Sequence, residues 1–199
     1  MRMNPIRPLH GFTLIELLVA VVILSVGLLG LAGMQITGLR SVNNASSYTQ
    51  ATLAVNDLVE RIRANPVASD ANAFAAIDSE TGINCAAMPD PYCSAYYDGA
   101  TLAAVEAESC TPAELAQYDL NVWFCGENSG NGRNGAMSET FPLAALIISC
   151  IDIDDTDADA CTYGSRHTLS FSWEELNPDR DSNNPDETLS RNITLTIQP

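Results

Sequence analysis

Lysine is missing altogether: all nine basic residues of this 199-residue chain are arginine, against 25 aspartates and glutamates and a formal net charge of -16. Beyond Pro66 the imbalance sharpens. Only Arg133, Arg166, Arg180 and Arg191 remain there to face 22 acidic residues, the 25 less Glu16, Asp57 and Glu60. That half would repel a phosphate backbone, which argues against nucleic acid as a partner. Histidine is almost absent too, with His10 and His167 the two present. The six cysteines, Cys85, Cys93, Cys110, Cys125, Cys150 and Cys161, form no CxxC, so the usual zinc-ligand spacings are lacking. An even set of loosely spaced cysteines reads instead as disulfides in an oxidising compartment. Cys150 with Cys161 is the one local pair, flanking IDIDDTDADA between two strand-like runs, and the other pairings stay open. No nucleophile can be tied to His167, which reads as a strand-edge surface residue, so no catalytic centre is expected.

Charge is also missing from a long stretch near the N-terminus. Between Phe12 and Leu39, 28 residues, only Glu16 is charged, and this exceeds the ~20 residues a helix needs to span a bilayer. Arg2 and Arg7 precede it, which favours a cytoplasmic tail and export of the rest. Two plain readings are a secretory signal cut near Gly30 and Ala32 and an uncleaved anchor. Neither explains a carboxylate four residues into the run, where a charge is expensive in lipid.

The stretch HGFTLIELLVAVVILSVGLLG, residues 10–30, resembles the type III signal of type IV prepilins. The resemblance implies that residues 1–11 are a leader and that a prepilin peptidase cuts after Gly11 and methylates the new amine of Phe12. The apolar helix is then retained, and Glu16 supplies the anion for that amine in a filament core, where a buried charge without a partner costs several kcal/mol. It further implies a subunit held in the inner membrane by residues 12–39, its head periplasmic, and later displayed on the pilus. Its partners would be the peptidase, other minor and major pilins met through the helix, and a tip adhesin. No cofactor is implied.

Past Leu39 an apolar stripe of Val42, Ala45, Tyr48, Ala51, Val55, Leu58 and Ile62 extends the helix over 40–65 as an amphipathic half, until Asn65-Pro66 stops it. A helix of this length makes a rod of roughly 75 to 80 Å. Gly27, Gly30, Gly33 and Gly38 interrupt it, as sites of close helix packing in lipid or of bending during assembly. NDLVERIRANP (56–66) and CTPAELAQYDLNVW (110–123) resemble the corresponding stretches of PilV-type minor pilins, the pilus modification proteins. The second also reads as a helix by itself. Thr111 is its N-cap, Pro112 its first residue and Glu114 the partner in a capping box, with Leu115, Tyr118, Val122 and Trp123 on its core side.

Short helices are expected around 71–77 and 101–108, a connector over GENSGNGRNG (126–135), and strands over 144–153, 168–173 and 190–197. The expected fold is α+β, the pilin ladle: a long N-terminal helix packed against an antiparallel-sheet head, residues 66–199, with disulfides. Asp155, Asp157 and Asp159 spell the opening of a calcium loop, but Ala160 replaces the required glycine and Arg166 the closing glutamate. A solvated acidic loop is therefore the stronger reading, as it is for the acidic run over 177–187. A minor pseudopilin of a type II secretion system, or a membrane-anchored binding module that never polymerises, would share this N-terminus; the PilV-like stretches favour the pilus.

Overall fold

The computed structural model describes residues 11–98, 101–128, 133–154, 156, 160–161, 164–177, 183–184 and 187–199. The chain divides into two compact units, one ending at Ser46 and one running from Ser47 to Pro199. Helix α1, Leu14–Ala64, passes through the boundary.

In the first unit every described residue from Gly11 to Asn43 is exposed, including the run of Leu, Ile and Val side chains. An 18-residue window of α1 reaches a mean hydropathy of 2.7 with none of it buried, long and apolar enough to cross a membrane. Two hydroxyl side chains within α1's apolar stretch bond to their own helix. Ser25 donates to the carbonyls of Val21 and Val22 at 2.8 and 2.9 Å, and Thr37 donates to that of Gly33 at 3.2 Å. These bonds let both hydroxyls enter an apolar surrounding without an unpaired donor.

The second unit holds the rest of the secondary structure. After α1 come α2 (Pro66–Asp70), β1 (Ala76–Asp78), α3 (Ser79–Gly82), β2 (Tyr96–Asp98), β3 (Ala103–Val105) and α4 (Pro112–Cys125). They are followed by β4 (Glu127–Asn128), β5 (Arg133–Asn134), α5 (Met137–Thr140), β6 (Ala145–Ile151), β7 (Arg166–Leu176) and β8 (Thr188–Ile197). The main sheet is antiparallel with order β1-β6-β7-β8, and β2-β3 and β4-β5 form two small hairpins.

Alternation aims Leu146 and Ile148 of β6, Leu169, Phe171 and Trp173 of β7, and Ile193 and Ile197 of β8 into one core. Opposite them lie Ala51, Val55, Leu58, Val59 and Ile62 of α1 and Ala116, Leu120, Trp123 and Phe124 of α4. Phe171 is the hub of the aromatic contacts, with ring centroids 5.4 Å from Trp123, 5.4 Å from Phe141 and 5.8 Å from Trp173. The pairs with Trp123 and Phe141 are edge-on and that with Trp173 is stacked; such aromatic pairs add about 0.5 to 1.5 kcal/mol each beyond area burial.

Asn65 ends α1 as expected and does more. Its side-chain oxygen caps α2 at Ala68 N, Pro66 takes the first helical position, and its Nδ2 donates to the carbonyl of Pro112 at 2.7 Å. At the end of α4, Gly126 has φ of +87°, and a Cβ there would meet Asn134 O at 2.8 Å, so both the turn and the close approach of β5 require glycine.

Several local expectations are corrected. The segment expected as a helix around 71–77 is a turn running into β1, and that around 101–108 contains β3, because each pairs with a strand partner that its own periodicity does not reveal. The connector expected over 126–135 begins and ends in the β4-β5 hairpin. On α4 the buried face is Ala116, Leu120, Trp123 and Phe124 with Tyr118, whereas Leu115 is exposed and Val122 half-buried. The true stripe is rotated toward the small Ala116, which is fully buried. His167, expected at a surface edge, is 2% exposed. β7 begins at Arg166, earlier than expected, and period-two alternation then places His167 on the inner face with Leu169, Phe171 and Trp173.

Leu58 is fully buried while Leu53, one and a half turns earlier, is 66% exposed. Leu58→Ala is expected to destabilise the folded unit by about 2 to 5 kcal/mol and Leu53→Ala by less than about 0.5 kcal/mol, read as the shift of the denaturant midpoint with disulfides intact.

Candidate processing and assembly site

The residues singled out for processing and assembly stand at the start of α1. Thr13 is the capping residue: its Oγ1 accepts from Glu16 N at 3.3 Å, and its carbonyl accepts from Glu16 N and Leu17 N at 3.1 and 3.3 Å. Glu16 thus sits in the first turn, where the orphan amides and the helix dipole favour an anion by about 0.3 to 1 kcal/mol. Thr13-Leu14-Ile15-Glu16 has the spacing of a capping box, and that T-x-x-E signal was legible in the sequence but unread there. Capping can explain a first-turn carboxylate. It gives no reason for the uncharged run that follows as far as Leu39.

Gly11 precedes Phe12 in open space, with nothing within 4 Å of a Cβ built on it. Among the described residues, no contact therefore calls for glycine at this position. Phe12 is 81% exposed, and the apolar surface that begins with it continues through Met34, Ile36 and Leu39.

The two sequence stretches that resemble minor pilins touch one another. Arg61 on α1 donates to Asp119 on α4 at 2.9 Å and to Asp57 at 2.9 Å, Asn65 reaches Pro112, and Trp123 Nε1 donates to the carbonyl of Ala54 at 2.8 Å. Burial pushes the Asp119 carboxyl above its ordinary pKa although Arg61 pulls it down. Against its own desolvation, the Arg61 guanidinium is in turn held above its ordinary pKa by Asp57 and Asp119, so the pair fixes how α4 lies on α1.

Three disulfides close the described cysteines: Cys85–Cys125, Cys93–Cys110 and Cys150–Cys161. The first two tie the turn-rich segment to both ends of α4, since Cys125 is its last residue and Cys110 immediately precedes the Thr111 cap. The Thr111–Glu114 capping box is formed in both directions, and these bonds hold the exposed Glu114 carboxyl below its usual range. The third disulfide spans the loop between β6 and β7.

Asp155, Asp157 and Asp159, the weak calcium candidates, lie outside the described residues. Their described neighbours have local tasks. Asp152 accepts from Ser165 Oγ at 2.9 Å and from Asp154 N at 3.2 Å, and Asp154 accepts from Thr156 N at 2.9 Å. Cys150, Cys161 and His167 place a ligand atom each within 4.8 Å of one another. That composition suits a thiophilic metal, but a metal binds thiolates, and the two sulfurs are joined to each other.

Two family models match the chain. One, described as type IV pilin Tt1218, matches residues 33–121, and the other, the prokaryotic N-terminal methylation motif, matches residues 7–32. The first covers residues 56–66 and all but the last two residues of 110–123; the second covers Gly11, Phe12, Thr13 and Glu16. No curated protein and no solved structure matches the chain.

The three closed bonds make a direct expectation. Alkylation of the denatured, unreduced protein taken from the exported fraction should label no cysteine, and six thiols should appear only after reduction. Labelling of six cysteines before reduction would contradict both the pairing and the compartment.

Proposed function

We propose, on the premise that this chain is a type IV prepilin-like protein, that it acts as a minor pilin that helps to prime pilus assembly or to form the tip complex. Prepilin peptidase removes residues 1–11 and methylates Phe12, residues 12–39 hold the subunit in the inner membrane and later join the filament core, and residues 66–199 form the head outside it. The observation that supports this reading best is the pairing of Gly11, which no contact among the described residues requires, with a lone first-turn carboxylate at the head of an apolar helix segment that is exposed through Asn43. The two contacting stretches that resemble PilV-type proteins favour a minor pilin over a pseudopilin. An acidic head suits display on a soluble surface and contact with other subunits, among them a tip adhesin.

The chemistry at the helix start is electrostatic. Cleavage after Gly11 creates an ammonium at Phe12, four residues before the Glu16 carboxylate. In the membrane monomer both groups lie close to the cytoplasmic interface, where water can solvate them. In a packed fibre the water is lost, and an ammonium buried among apolar helices without its anion costs several kcal/mol. Glu16, of the same or a neighbouring subunit, meets that charge.

Capping and charge pairing make different predictions for one substitution. Glutamine can occupy the capping-box position but has no charge. Glu16→Ala and Glu16→Gln should both accumulate as processed protein in the inner membrane, and both should be depleted at least about tenfold from sheared pili, the shift expected from ~1.4 kcal/mol or more of lost pairing. Immunoblots of membrane and sheared fractions measure this. Normal incorporation of Glu16→Gln would reduce the carboxylate to a helix cap, and absence of the wild-type protein from sheared pili would favour the plain membrane anchor.

A further inference from the structure

His167 is used by neither the filament reading nor the fold's polar network. It is 2% exposed in the β-sheet core, and its Nδ1 makes no well-formed hydrogen bond to the described residues, the Ser165 backbone being the polar group beside the ring. Its Nε2 lies 3.6 Å from Cys161 Sγ, and the β6-β7 ladder sets it directly across from Cys150. The hairpin therefore places an imidazole beside both sulfurs of the Cys150–Cys161 bond through backbone register. The two cysteines differ in access: Cys161 is 1% exposed, whereas Cys150 is half-buried.

We propose that His167 is the proton acceptor for closure of the Cys150–Cys161 disulfide, with Cys150 the sulfur that first meets the external oxidant and Cys161 the attacking one. The oxidant is a disulfide, R–S–S–R, of the exported compartment, either a thiol–disulfide oxidoreductase or a small molecule. The Cys150 thiolate displaces one RS⁻ and forms a mixed disulfide. The Cys161 thiol passes its proton to Nε2, and the resulting thiolate attacks the Cys150 sulfur and expels the second RS⁻. The imidazolium then gives up its proton. Two protein thiols are oxidised to one disulfide, and R–S–S–R is reduced to two RSH that take up the two protons.

The surroundings suit a base. Burial lowers the pKa of the imidazole, with the Ser165 backbone pulling the other way, so it is neutral at the near-neutral pH where it must accept a proton. Cys150 faces it from β6 and Ile197 from β8. Among the described residues of the hairpin, the nearby charged groups are Asp152, engaged by Ser165, and Arg166, exposed on the opposite face of β7. Cys161 is 1% exposed, so water cannot readily take its proton and an adjacent base has the most to contribute there.

The test uses the full chain in detergent, reduced and then reoxidised with oxidised glutathione, quenched with acid at intervals, alkylated and read by peptide mass. In the wild type, glutathione should appear transiently on Cys150. The rate of closure should rise as pH passes the lowered histidine pKa and flatten before the ordinary thiol range near about 8.5. His167→Gln should slow closure of this bond at least about tenfold, at the low end of general-base effects. Its rate should keep climbing through the thiol range, while Cys85–Cys125 and Cys93–Cys110 close as before. Equal rates with the same pH profile, or glutathione collecting on Cys161, would overturn the proposal. If the variant fails to close the other two bonds, and so fails to fold, the wild-type profile decides: a plateau below the thiol range supports the assignment, and a rise through it refutes it.

Discussion

A single helix leaves its first thirty or so residues for something else to cover. Each Leu, Ile or Val left in water forgoes about 1.5 to 3 kcal/mol relative to full burial, and from Phe12 to Leu39 such residues follow one another with no internal partner. That surface must be met by lipid or by other apolar helices. In either setting the one carboxylate, Glu16, needs a cation or water, and proteolysis after Gly11 would create a cation four residues away. The hydroxyls of Ser25 and Thr37, already bonded to their own helix, need neither.

The folded unit that begins at Ser47 faces a different problem, which is to hold an acidic chain together on one modest core. α1 contributes Ala51, Val55, Leu58, Val59 and Ile62 to that core, and α4 is fixed beside it by Asn65, Arg61 and Trp123. Where packing thins out, covalent bonds take over. The segment between α3 and α4 has two short strands and many turns, and Cys85–Cys125 and Cys93–Cys110 anchor it to both ends of α4. Loop-closing bonds of this kind are worth about 2 to 4 kcal/mol each.

The sequence disclosed this architecture unevenly, for physical reasons. Long-range features with strong local signatures were legible: the apolar run, the stop at Asn65-Pro66, the Thr111 capping box, the Cys150–Cys161 pair and the three principal strands. Features fixed by pairing were not. β1 and β3 are three residues each and exist because β6 and β2 lie alongside them, so their segments read as helical in isolation. The face of α4 was misplaced by its hydrophobic residues, because Ala116 buries itself by being small while Leu115 points outward. His167 was misread because the start of β7 was placed two residues late. At the candidate site, Gly11, Phe12 and Glu16 stood out in the sequence, whereas Thr13 as a cap went unread and the β6-β7 cluster around His167 needed the register to appear.

The central claim is that the apolar helix is kept and begins with a new amine placed to meet Glu16. The most direct measurement is the intact mass, with N-terminal fragmentation, of the protein extracted from the membranes of a host with prepilin peptidase. The account predicts a chain of residues 12–199 carrying one methyl group on the amine of Phe12. A mass that still includes Met1 to Gly11, or one that starts after Ala32, would contradict it.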